Sequence, residues 1–554
     1  MDWFRPGWVL GLLLALVLLP GALRALTGRH HRISAAHLRG RTLRRYREVQ
    51  SHLAHTPGAH LPREELRFGQ LLLPARIATG HFSFVGATGS GKTLLQRLLM
   101  QSVLPQVQSG HNQRALVYDA KQDALSILAG LGLSCPIHVF NPLDARSAAW
   151  DMAADITCPA AALQVASTLI PANERDSNPF FSNAARHLLH GVLLGFIRQR
   201  PGRWTFRQLL LTVRDPGRLR GLLEGNALTA HLVEYFQPEA TFQNILSTIL
   251  TYTAPYEIIA AAWERAGTRI SLRAWTEGES VLVLGNDEAN RAAIDTINRL
   301  LFKRLAELIL AQDEVAEEAV LPRRTWIFLD EVRQAGRLDG LSALMTKGRS
   351  KGVAVVLGFQ DINGLRDVYG REAADELVGQ CSSKAILRLN SPETAAWASQ
   401  LFGSHEVVET RCSSNTHRNF RPLGLPGDAG AGESLSDDIA KRDAVLESEF
   451  FELPETCPRH GLSGFFLCPV TGAFGIRSRA GGWPSICGGR TRVSPTTRPA
   501  RMTTSICDRG LRPRTRRRPR VRGQRRRMVC PSKGVCRRRK ASHGPGDGTR
   551  AGRW

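Results

Sequence analysis

An eight-residue stretch limits the possible folds of this chain more than any other. Residues 86–93 read GATGSGKT and fit the pattern G-x-x-x-x-G-K-[ST]. The apolar run FSFV precedes them, and the helix-compatible run LLQRLLMQSVL follows. A glycine-rich turn between a buried strand and a helix N-terminus presents backbone N–H groups that suit a phosphate. The motif therefore predicts a P-loop that binds a nucleotide.

The P-loop pattern also assigns roles to its side chains. The lysine reaches the β- and γ-phosphates, and the final hydroxyl ligates Mg²⁺. ATP and Mg²⁺ are therefore the predicted cofactors, with Thr93 as a metal ligand. The predicted nucleotide-binding residues are Gly86, Gly89, Ser90, Gly91, Lys92 and Thr93.

A second motif, TWIFLDEVRQAGRLDG at 325–340, has the form of a Walker B strand. Its apolar run ends in two carboxylates. Asp330 is expected to hold Mg²⁺ through water, and Glu331 is expected to orient and deprotonate the attacking water. A second carboxylate is typical of ATPases that hydrolyse and move, because simple phosphotransfer enzymes activate a substrate hydroxyl instead. The alternative is that the acidic pair only caps a strand.

The stretch TKGRSKGVAVVLGFQD at 346–361 predicts a buried strand with polar residues at both ends. The carboxyl ends of parallel strands gather at one edge of a sheet, where ligands bind. Gln360 is therefore expected beside the γ-phosphate, and a hydrogen bond to neighbouring backbone is the alternative. Arg349 is expected at the opposite edge, where it could act as an arginine finger on a neighbouring subunit. A solvated basic loop, or a contact with nucleic-acid phosphates, is the alternative for Arg349.

Apolar runs separated by helical stretches recur along the chain and indicate a parallel sheet covered on both faces. The predicted strands are 82–86, 115–119, 136–140, 280–285, 326–330, 353–360 and 384–389. Residues 151–276 have helical spacing and predict an all-α insertion. This insertion divides a P-loop motor domain into parts at 65–150 and 277–476. Within the second part, the polar, Gly- and Ser-rich segment 404–443 predicts a flexible loop.

The N-terminus predicts a membrane anchor at 1–27, since Gly7–Leu23 contains no charged residue. Arginines cluster after this run, which places the rest of the chain in the cytoplasm by the positive-inside rule. A cleaved secretory signal is the alternative. Residues 28–64, which are rich in arginine, predict a basic cytoplasmic stem.

The net charge of +25 belongs to the C-terminal tail and not to the folded part. Residues 477–554 contain 24 Lys and Arg but only 2 acidic residues, so the remainder of the chain carries only +3. The tail has no apolar periodicity and is predicted to be disordered. A shifted reading frame is the favoured interpretation, and a DNA-binding arm is the alternative. The high pI therefore does not make the folded part a basic nucleic-acid binder.

Several stretches together resemble the type IV coupling proteins of conjugation and type IV secretion, the TraD/TrwB class. Beyond the P-loop, the resemblance rests on VYDAKQD, FNPLDARSAAWD, DSNPFFSNAARHLLHGVL, FLDEVRQAGRLDGL, TKGRSKGVAVVLGFQDINGLRDVYG and CSSKAILRLNSPETAAWASQLFG. These segments follow the family's order, and the resemblance runs from about Phe68 to Ile476.

The resemblance implies an α/β, RecA-like P-loop NTPase with a parallel sheet, an inserted all-α domain and an N-terminal transmembrane helix. It also implies homo-hexameric rings in the bacterial inner (plasma) membrane, which hydrolyse ATP to pass DNA from a relaxase–DNA complex to a type IV secretion channel. The partners it implies are single-stranded DNA bound without sequence preference, relaxase proteins and components of the secretion channel. By position, the residues that match the family's functional sites are Lys92, Thr93, Asp330, Glu331, Gln360 and Arg349.

Two other functions remain open from the sequence. One is another hexameric ring ATPase, either an FtsK-like chromosome pump or an ATPase that powers secretion. The other is a membrane-anchored docking adaptor that binds substrates without hydrolysis. An adaptor would tolerate loss of Lys92 or Glu331, and both residues are present.

Overall fold

The structure is a computed structural model of the 554-residue chain, and it describes residues 35–54, 65–172, 178–316, 322–420 and 426–477. The described residues belong to one of the two units into which the chain divides, Met1–Gly488. The predicted membrane anchor at 1–27 and the tail beyond Arg477 lie outside the described residues. So do the two ends of the predicted stem.

Strands and helices are numbered here in chain order. The strands are β1 (Ala35–Gly40), β2 (Arg44–Arg45), β3 (Glu65–Phe68), β4 (Leu71–Pro74), β5 (Phe82–Val85), β6 (Gln113–Tyr118), β7 (Ile137–Phe140), β8 (Ala149–Trp150), β9 (Arg269–Ile270), β10 (Val281–Leu284), β11 (Arg324–Leu329), β12 (Val353–Phe359), β13 (Ser383–Ile386), β14 (Ser404–Phe420), β15 (Pro426–Asp443), β16 (Ser463–Cys468) and β17 (Gly472–Arg477). The α-helices are α1 (Tyr46–Ala54), α2 (Lys92–Val103), α3 (Ala124–Gly130), α4 (Met152–Asp155), α5 (Pro159–Leu169), α6 (Phe180–Gln199), α7 (Phe206–Arg214), α8 (Pro216–Glu224), α9 (Glu239–Thr253), α10 (Glu257–Arg265), α11 (Leu272–Glu277), α12 (Arg291–Leu310), α13 (Leu341–Lys347), α14 (Ile362–Tyr369), α15 (Arg371–Gln380), α16 (Pro392–Phe402) and α17 (Glu447–Phe451). Short 3₁₀ segments lie at Ala75–Gly80, Leu104–Gln106, Ala230–Phe236, Ala254–Tyr256, Glu288–Asn290 and Gly348–Lys351.

A large twisted sheet forms the centre of the described part of the chain. Its strand order is β2-β17-β16-β13-β5-β12-β11-β6-β10-β7. Every neighbouring pair from β13 to β7 is parallel. At the other end, β16 runs antiparallel to β13, and β17 runs antiparallel to β16. Each of the seven predicted apolar strands coincides with a strand of this sheet, so that prediction is confirmed.

The central strands are covered on both faces, as a continuous apolar run requires. All seven residues of β12 are buried. Val353, Val355 and Leu357 face one core, which also contains the helices between β8 and β9. Ala354 and Val356 face the other core, together with the apolar side of α2. This double burial leaves only the strand ends free to carry polar side chains.

The region between β8 and β9 is helical, and one buried carboxylate holds its two ends together. The short strands β8 and β9 pair in parallel where the chain enters and leaves this region. Asp155, which is fully buried, accepts hydrogen bonds from the indole of Trp150 at 2.6 Å and the hydroxyl of Ser271 at 2.7 Å. It also accepts the backbone N–H of Leu272 at 2.7 Å. Because buried polar groups require partners, this cluster fixes the junction between the helices and the sheet.

The segment 404–443, predicted to be a flexible loop, contains a long antiparallel hairpin instead. Strands β14 and β15 pair from Ser404 with Asp443 outwards, and β1 adds a third strand along the first part of β14. The composition of the segment led to the wrong prediction, since Gly, Asp and Asn are depleted in strands on average. The hairpin and β1 form a separate three-stranded sheet, which backbone pairing between the strands defines.

One helical stretch in the described part of the chain, Glu239–Arg265, is apolar and long enough by composition to cross a membrane. Core helices of soluble domains share this property. Phe242, Ile245 and Ile249 on this stretch are buried in the helical core. Packing in the core therefore accounts for these three apolar residues, and the predicted anchor at 1–27 is a separate segment.

Candidate nucleotide site

The strand order brings the two sequence motifs to one edge of the sheet. β12 lies between β5, which precedes the P-loop, and β11, which precedes Asp330 and Glu331. The three strands are parallel, so their carboxyl ends point to the same edge. Gly358 of β12 permits close packing there, because a Cβ atom at this position would lie 2.1 Å from the backbone oxygen of Asp330. The P-loop, the acidic pair and Gln360 therefore meet at one place.

The P-loop joins β5 to α2 through a tight turn. Gly89 and Gly91 have positive φ angles of 78° and 102°, which other residues adopt only with strain. Lys92 folds back over the loop, and its ammonium donates to the backbone oxygen of Gly86 at 2.8 Å. The Lys92 side chain is only 7% exposed, and burial lowers its pKa, while the nearby carboxylates of Glu331 and Asp330 partly offset that shift. Ser90 is also buried, within the loop.

The two carboxylates after β11 point to different parts of the site. The Thr93 hydroxyl donates to Asp330 Oδ2 at 3.4 Å, so the two predicted metal ligands are neighbours. Asp330 Oδ1 is buried and has no hydrogen-bond partner among the residues that the structure describes. Glu331 is buried, and its Oε2 lies 3.7 Å from the Lys92 ammonium. The acidic pair therefore does more than cap a strand.

Gln360 connects the P-loop side of the site to Glu331. Its Nε2 donates to Glu331 Oε2 at 3.2 Å, and its Oε1 accepts from the Thr88 hydroxyl at 3.4 Å. Thr88 belongs to the P-loop, so the amide spans the gap between the two motifs. The alternative of a Gln bonded only to neighbouring backbone does not match this geometry.

Lys121 is a site residue that the sequence analysis did not single out. Its ammonium donates to Asp330 Oδ2 at 2.5 Å and to the Thr93 hydroxyl at 3.0 Å. Lys121 follows β6, which neighbours β11 in the sheet, and its side chain is 43% exposed. The available signal was a cation just beyond the carboxyl end of a predicted strand, in VYDAKQD.

Arg349 lies away from this cluster, at the opposite edge of the sheet. It is an exposed residue of the 3₁₀ turn Gly348–Lys351, which precedes β12. With about 3.3 Å per residue, the seven residues of β12 separate this turn from Gln360 by roughly 23 Å. Arg349 is also close enough to affect His81, which directly precedes β5. Burial lowers the pKa of His81, and the positive charge of Arg349 lowers this pKa further. Arg349 therefore lies beside the amino ends of the strands.

The residues present fit a nucleotide with a divalent cation. Asp330 Oδ1, which is buried without a hydrogen-bond partner among the described residues, and the adjacent Thr93 hydroxyl are oxygen ligands of the kind that Mg²⁺ prefers. The P-loop supplies a turn with two left-handed glycines and a buried lysine beside them. Glu331, the second carboxylate after β11, lies beyond Lys92 and is hydrogen-bonded to the amide of Gln360.

A family model of the type IV secretion-system coupling protein DNA-binding domain matches residues 65–466. The chain belongs to this family. The resemblance inferred from the sequence motifs is therefore confirmed. The match includes the P-loop, the helical region, the acidic pair and Gln360, and it ends inside β16.

The coupling protein TraD of Escherichia coli (strain K12) is 24% identical over 403 residues, which is 71% of this chain and 52% of TraD. The chain thus spans about half the length of that relative. The conjugal transfer protein TraG of Rhizobium radiobacter is 27% identical over 131 residues, 24% of this chain and 19% of TraG.

Among solved structures, the bacterial conjugative coupling protein TrwBdeltaN70 in its unbound monoclinic form superimposes with a TM-score of 0.59. Sequence identity is 19%, with 81% of this chain and 94% of the other covered. This likeness confirms the predicted RecA-like α/β fold with a parallel sheet and a helical insertion.

Proposed function

We propose that this chain is a membrane-anchored, ATP-driven DNA translocase that acts as a coupling protein in conjugation. The observation that carries the proposal is the contact of the buried Lys92 and Glu331 with each other and of Glu331 with Gln360, at the edge of the sheet where the P-loop lies. Such an arrangement supports hydrolysis as well as nucleotide binding, since the carboxylate is placed beyond the phosphate-binding lysine.

The proposed role of each site residue in ATP hydrolysis follows from its contacts. The P-loop and Lys92 bind the phosphates, while Thr93 and Asp330 hold Mg²⁺, which neutralises charge on the phosphates when bound. Glu331 orients and deprotonates the attacking water. Gln360 contacts the γ-phosphate and links its presence to Glu331 through the 3.2 Å hydrogen bond.

The proposed partners come from the family and from the sequence. They are single-stranded DNA without sequence preference, relaxase proteins, the type IV secretion channel and neighbouring copies of this chain in a hexamer at the bacterial inner membrane. Family membership favours this function over an FtsK-like pump or a channel ATPase. The presence of Lys92 and Glu331 in one buried cluster favours it over an adaptor that does not hydrolyse ATP.

DNA-stimulated hydrolysis tests the proposal. ATP turnover by the full chain in detergent is expected to rise when single-stranded DNA is added. Nucleotide binding without turnover, with or without DNA, would favour the docking adaptor. ATP turnover that does not change when DNA is added would contradict the translocase function and would favour another ring ATPase.

Replacement of Lys121 by Met is expected to lower the Mg²⁺ concentration needed for half-maximal nucleotide binding. The Lys121 ammonium donates to the carboxylate and the hydroxyl that would hold the cation, so the two positive charges would repel each other. A partly exposed charge about 4 Å away contributes on the order of 1 kcal/mol or less, which corresponds to about a two- to fivefold change. Titration of Mg²⁺ against a fluorescent ADP measures the change. A higher Mg²⁺ requirement would show that Lys121 supports the bound phosphates instead.

A further inference from the structure

A turn near the end of the described chain, at residues 455–461, contacts the outer side of the P-loop. Thr456 donates its hydroxyl to the backbone oxygen of Ser90 at 2.6 Å. Its backbone N–H donates to the backbone oxygen of Gly89 at 3.2 Å. One residue thus satisfies two consecutive carbonyl groups of the P-loop, although 366 positions separate Thr456 from Ser90 in the sequence.

These two hydrogen bonds determine which way the P-loop amides point. In a planar trans peptide, the C=O and the following N–H point in opposite directions. The Gly89 carbonyl faces Thr456. The N–H of Ser90 therefore points back into the loop, where it donates to the backbone oxygen of Ala87 at 3.2 Å. The Ser90 carbonyl also faces Thr456, so the N–H of Gly91 points to the opposite, phosphate-binding side. An N–H group aimed this way contributes to the concavity that binds anions.

The fit between the turn and the P-loop is tight. A Cβ atom at Gly91 would lie 2.6 Å from the Thr456 hydroxyl and 2.7 Å from a methyl group of Leu462. Gly91 therefore needs to be glycine for contact with the turn, in addition to its φ angle of 102°. The turn therefore packs directly against the backbone of the P-loop.

The turn itself is fixed to the central sheet. The N–H of Gly461 donates to the backbone oxygen of Cys457 at 2.8 Å, and the buried Leu462 leads directly into β16. Next to Thr456, the Glu455 carboxylate pairs with Arg388 at 2.7 Å.

Arg388 extends this support to the start of the P-loop. Its backbone oxygen accepts the N–H of Ala87 at 2.8 Å. The P-loop is consequently held on two sides by segments that an ion pair joins, and both segments are attached to neighbouring strands, β13 and β16.

We propose that Thr456 is a positioning residue for nucleotide binding, which holds the Ser90–Gly91 peptide so that its N–H faces the phosphates. The inference rests on the proposed nucleotide-binding function of the P-loop. Thr456 acts through the loop backbone and does not itself touch the nucleotide. Its hydroxyl is needed because no other donor among the described residues bonds to the Ser90 carbonyl.

The test compares Thr456→Val, which keeps the shape and removes the hydroxyl, with Thr456→Ser, which keeps the hydroxyl. Affinity for fluorescent ADP with Mg²⁺ is measured on the full chain in detergent. Thr456→Val is expected to bind about five- to tenfold more weakly, the loss predicted for one hydrogen bond of ordinary net strength. Thr456→Ser is expected to bind within about twofold of wild type, because its donor is retained.

Two controls separate positioning from general damage. Thr229→Val removes a buried hydroxyl that donates to carbonyls in the helical region, at 2.9 Å from Leu223. It is expected to lower the melting temperature without changing ADP affinity. Hydrogen exchange of the peptide spanning 86–93 is expected to rise in Thr456→Val and to stay unchanged in Thr229→Val.

The outcomes distinguish the inference from the proposed function. Lys92-dependent binding in wild type, with Thr456→Val binding equally well, would overturn the inference alone. Absence of binding in both wild type and Lys92→Ala would overturn the proposed function. If Thr456→Val does not fold, Thr456→Cys replaces it, with an intermediate affinity expected from its weaker donor.

Discussion

Replacement of Glu331 by Gln is expected to slow ATP hydrolysis by about 10²- to 10⁴-fold, the usual contribution of a positioned general base. Gln has nearly the shape of Glu but cannot accept a proton from water at neutral pH. The structure gives Glu331 two cationic or amide neighbours, Lys92 at 3.7 Å and Gln360 at 3.2 Å, which hold its carboxylate in one place. Steady-state phosphate release, measured with and without single-stranded DNA, gives the comparison.

Nucleotide binding by Glu331→Gln is expected to remain close to wild type, because Lys92 and the P-loop backbone are retained. A matched control is Glu372→Gln, which neutralises an exposed carboxylate in the first turn of α15. This control is expected to hydrolyse ATP as wild type does. Hydrolysis by Glu331→Gln within about tenfold of wild type would fall below the range for a general base and would remove Glu331 from that role.

The sheet and most of the site could be predicted because their signals are local. Each central strand is a short apolar run, and the runs of β5, β11 and β12 each end at a turn that carries predicted site residues. Lys92 was predicted from the P-loop pattern, and Asp330, Glu331 and Gln360 were predicted from the ends of apolar runs. The parallel arrangement then required these strand ends to meet at one edge of the sheet.

Contacts between distant segments could not be predicted in the same way. Lys121 touches Asp330 only because β6 and β11 are neighbours in the sheet, and nothing in either segment specifies the other. Thr456 lies in a stretch with no recognised motif. The hairpin at 404–443 is polar, and its pairing depends on backbone hydrogen bonds, so hydrophobic periodicity does not reveal it.

Replacement of Arg349 by Ala is expected to reduce ATP hydrolysis by about 10³- to 10⁵-fold if the guanidinium serves a neighbouring subunit as an arginine finger. The structure places Arg349 at the amino end of β12, roughly 23 Å along the strand from its own Gln360. A role in hydrolysis from that position requires a second subunit. ATP affinity is expected to change little, since the finger stabilises the charge that develops in the transition state.

A charge-matched control is available at the end of α13, just before this turn. Lys347→Ala removes an exposed cation two residues from Arg349. If this edge of the sheet only contacts DNA phosphates, both replacements should weaken DNA binding similarly and leave DNA-free hydrolysis unchanged. A finger predicts that only Arg349→Ala loses DNA-free hydrolysis.

Mixed assemblies test whether Arg349 acts between subunits. An Arg349→Ala subunit retains its P-loop, and a Lys92→Ala subunit retains its arginine. In a ring that contains both, some interfaces pair an intact P-loop with an intact Arg349, so hydrolysis is expected to exceed that of either variant alone. If Arg349 served its own subunit, every subunit in the mixture would lack one essential group, and mixing would restore nothing. The turn before β12 would then belong to the fold of one subunit, and the case for a ring would rest on family membership alone.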